Sequence, residues 1–418
     1  MYFLEFIMSS HTPTRTYTIS TTEFTILVAL LMSVVAISID ALLPALGIIG
    51  TALQLDNPNK VQYILSALFL GMAIGQLICG PLSDATGRKK VLYIGVSLFL
   101  IGSVICLFAQ DLNTMLIGRF IQGLGVSGPY VSAMSIVRDQ FSGRQMAKIM
   151  SLVMLIFIAV PAIAPSIGQG ILLLSSWKMI FAFYVAYALL ITSWIFFRLE
   201  ETLPKERRIA FSTSSFMDGF KEVLCNRVTI GYTLCMGLFF GSFIGYLNSS
   251  QQIFQVQFNT GKMFTVYFGV LALVFGLASL VNSQLVEKIG MHKMCRQSVL
   301  VMVISSGVFL AVHFIMPITL WMFLIFASIL FFSFGLIFGN LNAIAMEPMG
   351  HVAGIASAII GSLSSIMSLC IGTTIGQLYN NTLIPVTTGF LTLSLISLLI
   401  MHFVDADKAQ PAMPLDEA

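Results

Sequence analysis

Long apolar runs separated by short polar breaks fill this chain. Runs at roughly 25–47, 61–83, 91–109, 114–137, 147–173, 177–198, 228–253, 263–286, 295–316, 319–343, 353–377 and 383–404 each predict a helix. They are about 20 residues long, the length that crosses a bilayer core at ~1.5 Å per residue. The longest polar stretch between them, 199–227, holds Lys205, Arg207, Arg208, Lys221 and Arg227 and divides the helices six and six. The pattern therefore predicts an all-α integral membrane protein of twelve transmembrane helices. Its divisions are a cytoplasmic N-terminal segment (1–24), a six-helix bundle (25–198), a cytoplasmic linker (199–227), a second six-helix bundle (228–404) and a cytoplasmic tail (405–418).

Composition agrees. Of 418 residues, 57% are hydrophobic and 9% charged, whereas soluble domains carry about 25% charged residues. The net charge of +3 gives no argument for nucleic acid, because the charges are sorted by side. With the N-terminus inside and the chain alternating, only Lys60, Lys178 and Lys262 of the 21 Lys and Arg fall in outer loops. Arg119 falls within a span and the rest face the cytoplasm, a positive-inside pattern that a miscounted helix would scramble. The six cysteines form no C-x-x-C pair and read as reduced packing residues. Residues 9–22 are rich in Ser and Thr, and no cleaved signal peptide is expected.

The two bundles share a faint repeat. Laying Gly290 on Gly87 places Leu285-Val286-Glu287-Lys288-Ile289-Gly290 on Leu82-Ser83-Asp84-Ala85-Thr86-Gly87, and Lys293 on Lys90. Duplicated six-helix halves suit alternating access, in which two bundles rock about a central site.

Ionisable residues inside a span are costly and are functional candidates by default. Asp40 in the first helix and Arg119 in the fourth stand out. Counting residues from the outer helix ends puts both at a depth of roughly 8–10 Å, which permits pairing. Low dielectric favours the neutral acid and a nearby guanidinium the anion. An Asp in that balance loads and unloads a proton as a cavity opens to each side; a fixed ion pair holding two helices, or snorkelling to the surface, is the alternative. Pro161 and Pro165, with Gly168 a turn on, predict a bent, closely packed fifth helix. Gly123-Leu124-Gly125-Val126-Ser127-Gly128 matches G-x-G-x-x-G, but no strand precedes it and it lies within a span. Its small residues serve close helix approach instead.

The turn Gly80-Pro81-Leu82-Ser83-Asp84-Ala85-Thr86-Gly87-Arg88-Lys89-Lys90 resembles the G-x-L-x-D-x-x-G-R-[KR]-[KR] signature of the major facilitator superfamily. It stands between the second and third spans, as in that family. The fourth helix is similar to the family's R-x-x-Q-G-x-G segment through Arg119, Gln122, Gly123 and Gly125. The fifth resembles the proline-glycine signature of its drug:proton antiporter branch, with Gln169 separating Gly168 from Gly170. Ile39-Asp40-Ala41-Leu42-Leu43-Pro44-Ala45-Leu46 and Val137-Arg138-Asp139 resemble the Bcr/CflA-like multidrug exporters. The resemblance implies a conformational latch at Gly80, Asp84, Gly87, Arg88, Arg138 and Asp139, and a proton-coupling role for Arg119. The family's usual basic residue after Asp84 is here Ala85, and the specific motifs lie almost wholly in the first half.

Aromatic and Met surfaces suit loosely matched apolar or cationic ligands. Tyr130, Phe157, Phe240, Phe243, Tyr246 and Phe338 are the candidate lining of a cavity between the halves, although with 34 Phe and 23 Met most such residues must face lipid or neighbouring helices. Gln76 and Asn282 are expected to bond across helices. The expected activity is secondary active, proton-coupled export of small organic molecules. It takes place in the inner membrane, from a monomer with the proton as coupling ion and no other cofactor or metal. An importer, or a dedicated metabolite or siderophore carrier, is the alternative of the same fold. A membrane enzyme would need a nucleophile–base pair or metal cluster that five His in scattered positions do not offer. A receptor or channel would leave the turn signature unexplained, and no P-loop is present for ATP drive.

Overall fold

The computed structural model describes residues 19–208 and 213–406. Its long elements are α1 (Thr21–Asp40), α2 (Leu46–Ala52), α3 (Tyr63–Thr86), α4 (Arg88–Phe108), α5 (Leu112–Gln140), α6 (Gly143–Leu174) and α7 (Lys178–Arg198) in the first half. A linker helix α8 (Thr213–Cys225) leads to α9 (Arg227–Gln251), α10 (Phe264–Ile289), α11 (Met291–Ile315), α12 (Leu320–Met346), α13 (Ala353–Gln377) and α14 (Ile384–Ala406).

Eleven helical stretches of the described residues are long and apolar enough to cross a membrane. One of them, Leu320–Gln377, has 58 residues, or about 87 Å at helical rise, nearly three bilayer cores. It is interrupted at Glu347–Val352, where Pro348 cannot donate a backbone hydrogen bond and Met349 leaves helical geometry at φ −104° and ψ 17°. It therefore makes two passes, α12 and α13, and the described chain has the twelve spans expected. Three boundaries differ from the sequence pattern. The first span runs from Thr21 to Ala52 rather than 25–47, the last helix reaches Ala406, and the linker contains α8. Most of the segment 1–24, the residues 209–212 and the tail from 407 lie outside the described residues.

The two halves repeat the same pairings. In the first, α1 packs on α6, α3 and α4 on α5, and α4 on α7. In the second, α9 packs on α13, α10 and α11 on α12, and α11 on α14. Even the turn glycines correspond: Gly87 closes α3 at φ +105° and Gly290 closes α10 at φ +84°, a region that favours glycine. Between the halves, α3 meets α13 and α6 meets α10.

Lipid tails give no hydrophobic drive between helices, so close packing and internal hydrogen bonds hold the bundle. Side chains added at Gly123 or Gly71 would strike the facing α3 or α5 backbone, and Gly95 and Gly102 of α4 meet α5 in the same way. The glycines of the G-x-G-x-x-G run thus serve close approach. Polar groups gather inside, with Arg119, Gln122, Gln62 and Asn248 at 1% exposure or less, while Ile78, Leu273, Ile304 and Ile325 are exposed. All six cysteines are free.

Candidate functional site

Asp40 is the last residue of α1. Beyond it the first span turns through Ala41 and Leu42, tightens into a 3₁₀ stretch at Leu43–Ala45 and resumes as α2. Pro44 has no N–H to give the Asp40 carbonyl, so the helix breaks there. Gly168 of α6 lies against the Ala41 carbonyl, an approach that any Cβ would block. The Asp40 side chain is buried at 6% exposure. Among the described residues its carboxylate has no recorded hydrogen bond or ion pair.

Arg119 sits seven residues into α5, whose N-terminus is capped by Asp111 accepting from the Thr114 backbone N–H (2.9 Å) and hydroxyl (2.7 Å). These bonds hold the Asp111 carboxyl below its ordinary range. The Arg119 guanidinium is wholly buried but does not pair with Asp40. Its Nε donates to the Ile64 carbonyl (3.2 Å), Nη1 to Gln122 Oε1 (2.7 Å) and Nη2 to the Ser38 carbonyl (3.0 Å). Gln122 Nε2 passes the chain on to Ser103 Oγ (2.7 Å), and the Tyr184 hydroxyl donates to the Ile37 carbonyl (3.1 Å). A buried charge is tolerated only when hydrogen-bonded, and this one fastens α1, α3, α4 and α5 around the break. The alternative of a fixed Asp40–Arg119 pair is not what forms: Arg119 bonds to backbone two residues before Asp40. Depth counting put the two residues at one level, where Arg119 does reach Ser38 of α1, but depth does not say which way a side chain turns around its helix.

At one end of the bundle, Arg88 opens α4. Its Nε donates to Asp139 Oδ2 (2.8 Å), and its Nη1 donates to Asp84 and to Ser83 Oγ (3.2 Å). The backbone N–H groups of Arg88 and Lys89 donate to the two carboxylate oxygens of Glu201 (2.9 and 3.1 Å), and Thr202 Oγ1 donates to Asp139 (3.3 Å). Glu201 thus caps α4 and pulls the linker onto the turn, which is why a side chain at Gly87 would meet the Glu201 carboxylate at 2.5 Å. A side chain at Gly354, in the first turn of α13, would lie 3.8 Å from Asp84 Oδ2, and one at Gly80 would lie 3.7 Å from Ala358. Of the six latch residues read from the sequence, five form this cluster or its seam with α13. Arg138 is exposed and, among the described residues, joins none of these bonds. Glu201 and Thr202 were missed; their only signal was an acid just beyond the sixth span. In the second half, His292 Nδ1 and Asp405 converge on the Tyr232 hydroxyl (2.8 and 3.0 Å) at the corresponding turn.

At the opposite end the halves are joined by side-chain amides. Gln62 Nε2 donates to Gln252 Oε1 (2.7 Å), and Gln252 Nε2 donates to Asn59 Oδ1 (2.9 Å). Asn59 Nδ2 donates to the carbonyls of Gln377 (3.1 Å) and Tyr379 (2.8 Å), and Gln377 Nε2 donates to the Asn59 carbonyl (2.9 Å). Lower on the same seam, Ser66 and Thr373 share a hydrogen bond of 2.9 Å. Gln252 begins a π-helical stretch, Gln252–Gln257, that ends the seventh span.

The aromatic candidates divide. Phe240 meets Phe338 at 4.9 Å between ring centroids, Phe243 meets Phe331 and Phe334 at 5.5 Å each, and Tyr246 meets Phe331 at 5.2 Å. Phe240, Phe243 and Phe338 are half-buried and line one wall formed by α9 and α12. Tyr246 is buried, and its hydroxyl has no hydrogen-bond partner among the described residues. Tyr130 and Phe157 are half-buried and, among the described residues, make no ring contact with this cluster. Asn282 bonds across helices, accepting from Asn340 Nδ2 (2.7 Å). α6 stays continuous through Pro161 and Pro165, so the prolines leave the Phe157 and Pro161 carbonyls without their helical donors but do not break the helix. A groove of about 710 Å³ lies elsewhere, along the seam of α3 and α13, lined by Ser66, Leu70, Cys370, Thr373 and Thr374.

Two pseudo-repeated six-helix halves, a discontinuous first span and inter-half contacts at both ends define a membrane transporter fold. The Major Facilitator Superfamily model matches residues 28–373, and the chain belongs to that family of transporters. It is 32% identical over 348 residues to the Bacillus subtilis (strain 168) uncharacterized MFS-type transporter YdgK, covering 81% of this chain and 85% of that one. It is 27% identical to the bicyclomycin resistance protein homolog of Haemophilus influenzae, covering 92% and 96%. It is 28% identical to the multidrug resistance protein MdtL of Escherichia coli O127:H6, covering 86% and 90%. The fold matches the E. coli xylose transporter XylE, in a partially occluded inward-open conformation, with TM-score 0.70 at 14% identity, covering 95% and 99%.

Proposed function

We propose that this transporter exports small organic molecules in exchange for protons. It would act as a monomer in the inner membrane, with the basic end and both termini in the cytoplasm. The observation that carries the reading is Asp40. It is an acid buried beside a helix break, with no partner for its carboxylate among the described residues, while the nearby buried cation Arg119 is already committed to carbonyl oxygens. An acid not committed to a salt bridge can change protonation without breaking one, and burial favours the neutral form of an acid. The relatives named for bicyclomycin and multidrug resistance support organic substrates and the outward direction. The wall of Phe240, Phe243 and Phe338 offers apolar and aromatic contact of the kind that binds varied ligands loosely.

The two ends serve as alternate closures. Asp84 faces the start of α13, where an acid is favoured by the helix N-terminus, and Arg88 holds it there. The amides of Asn59, Gln62, Gln252 and Gln377 close the other end at about 1 kcal/mol net per hydrogen bond, weak enough to open in each cycle. No metal or organic cofactor enters this scheme. The test is uptake into energised inverted membrane vesicles of a panel of dyes, antibiotics and labelled metabolites, with and without an imposed pH gradient. Uptake that collapses with the gradient is expected; uptake indifferent to it would sink proton coupling, and gradient-driven movement in the other sense would favour an importer.

A further inference from the structure

The linker helix α8 has three distinct faces. Gly219 and Val223 are buried against the protein; a side chain at Gly219 would meet Ile355 of α13 at 2.7 Å. Asp218, Lys221 and Cys225 are exposed on a polar face, and Glu222 pairs with His351 at 2.7 Å. Between these faces, Met217 (58% exposed), Phe220 (36%) and Leu224 (43%) stand uncovered. At 3.6 residues per turn these three fall within an arc of about 60°.

We infer that this apolar face is seated in the boundary between headgroups and acyl chains of the bilayer, making α8 an interfacial anchor for the junction between the halves. Three observations place a lipid surface there rather than water. α8 ends one residue before the seventh span begins, with Asn226 bonded to both helices, so its C-terminus is already at the membrane boundary. Its docking partner, Ile355, is in the first turn of the eleventh span, which fixes its level. The same end of the bundle exposes Lys90, Lys205, Lys221, Lys288, Lys293 and Arg296, a charge complement for anionic headgroups. A helix with a narrow apolar arc beside a charged one lies in the interface plane, with long cationic side chains reaching the headgroups. The anchor bears on the seam: Ile355 neighbours Gly354, which faces Asp84, while Glu201 and Thr202 at the other end of the linker hold the Arg88 turn.

Single cysteines at 217, 220 and 224, and at 218 and 221 as polar-face controls, would carry an environment-sensitive fluorophore. The background is the full chain with exposed Cys225 and Cys370 changed to Ser. The protein is reconstituted in phosphatidylethanolamine–phosphatidylglycerol vesicles bearing brominated acyl chains, and iodide is the aqueous quencher. Labels at 217, 220 and 224 should be quenched several-fold more by bromolipid than those at 218 and 221, and less by iodide. Equal iodide quenching at all five positions would put the face in water and overturn the proposal. Protection of 217, 220 and 224 from both quenchers would overturn it too, by showing that a second copy or another protein surface covers the face.

Discussion

Arg119 shows what a single side chain does in a low dielectric. Its planar fork reaches carbonyls of α1 and α3 and the amide of Gln122 at once. Lysine keeps the charge but is a point donor on a different stem. Arg119→Lys should therefore leave at least one buried acceptor unpaired, at a cost of about 1–3 kcal/mol, read as a lower midpoint of thermal unfolding in detergent. An unchanged midpoint would mean that the hub is not what fastens the spans. Gly168→Val should be worse tolerated than Gly170→Val, since only Gly168 lies against the Ala41 carbonyl and an added side chain at Gly170 meets open space. Equal yields of folded protein from the two variants would contradict that packing. Both Asp40 and Arg119 were legible in the sequence because charge is rare inside an apolar run. Their relation was not, because depth along a helix says nothing about rotation, and a carbonyl acceptor leaves no mark on side-chain identity.

At the scale of elements, the turn between α3 and α4 combines a stable pair with a loose one. Arg88 and Asp139 have side-chain exposures of 9% and 17%, whereas Asp84 is 41% exposed. Breaking the better-buried pair leaves a poorly solvated charge, so Asp139→Asn should cost about 3 kcal/mol, the lower end for a broken buried pair. Asp84→Asn should cost under about 1 kcal/mol, as exposed pairs do, yet slow interconversion of the halves because it releases the contact with α13. A cycling rate unchanged by Asp84→Asn would count against the latch. The turn was readable because its residues are contiguous. The break in the first span was not, since Pro44 near a helix end reads as a terminus when apolar residues continue to Ala52. α8 was hidden for the opposite reason: its few apolar residues are diluted by Asp218, Lys221 and Glu222, so it reads as polar loop.

In the whole molecule, the repeat lets one polar closure form at each end of the same seam. Gln252→Ala removes an acceptor for Gln62 and a donor to Asn59. With about 1 kcal/mol net per bond, it should shift the population toward the state open at that end by roughly ten-fold or more. Distances between spin labels on the loops at 53–57 and 378–383 would report this, and an unshifted distribution would show that the amides do not close that end. Sequence patterning foretold twelve spans and two halves because hydropathy and charge sidedness are collective signals. It did not foretell the amide closure, whose members come from loops and helix ends far apart in the chain, joined only once the halves meet.

In this scheme Asp40 couples substrate movement to the proton. This coupling is tested most directly by comparing two measurements on Asp40→Asn in proteoliposomes: gradient-driven accumulation of a substrate, and gradient-free exchange of labelled for unlabelled substrate across the membrane. Accumulation should be lost while exchange persists, because the variant holds a permanently neutral side chain at the break and leaves the Arg119 hub and both closures intact. Accumulation at the wild-type level in Asp40→Asn would contradict that coupling.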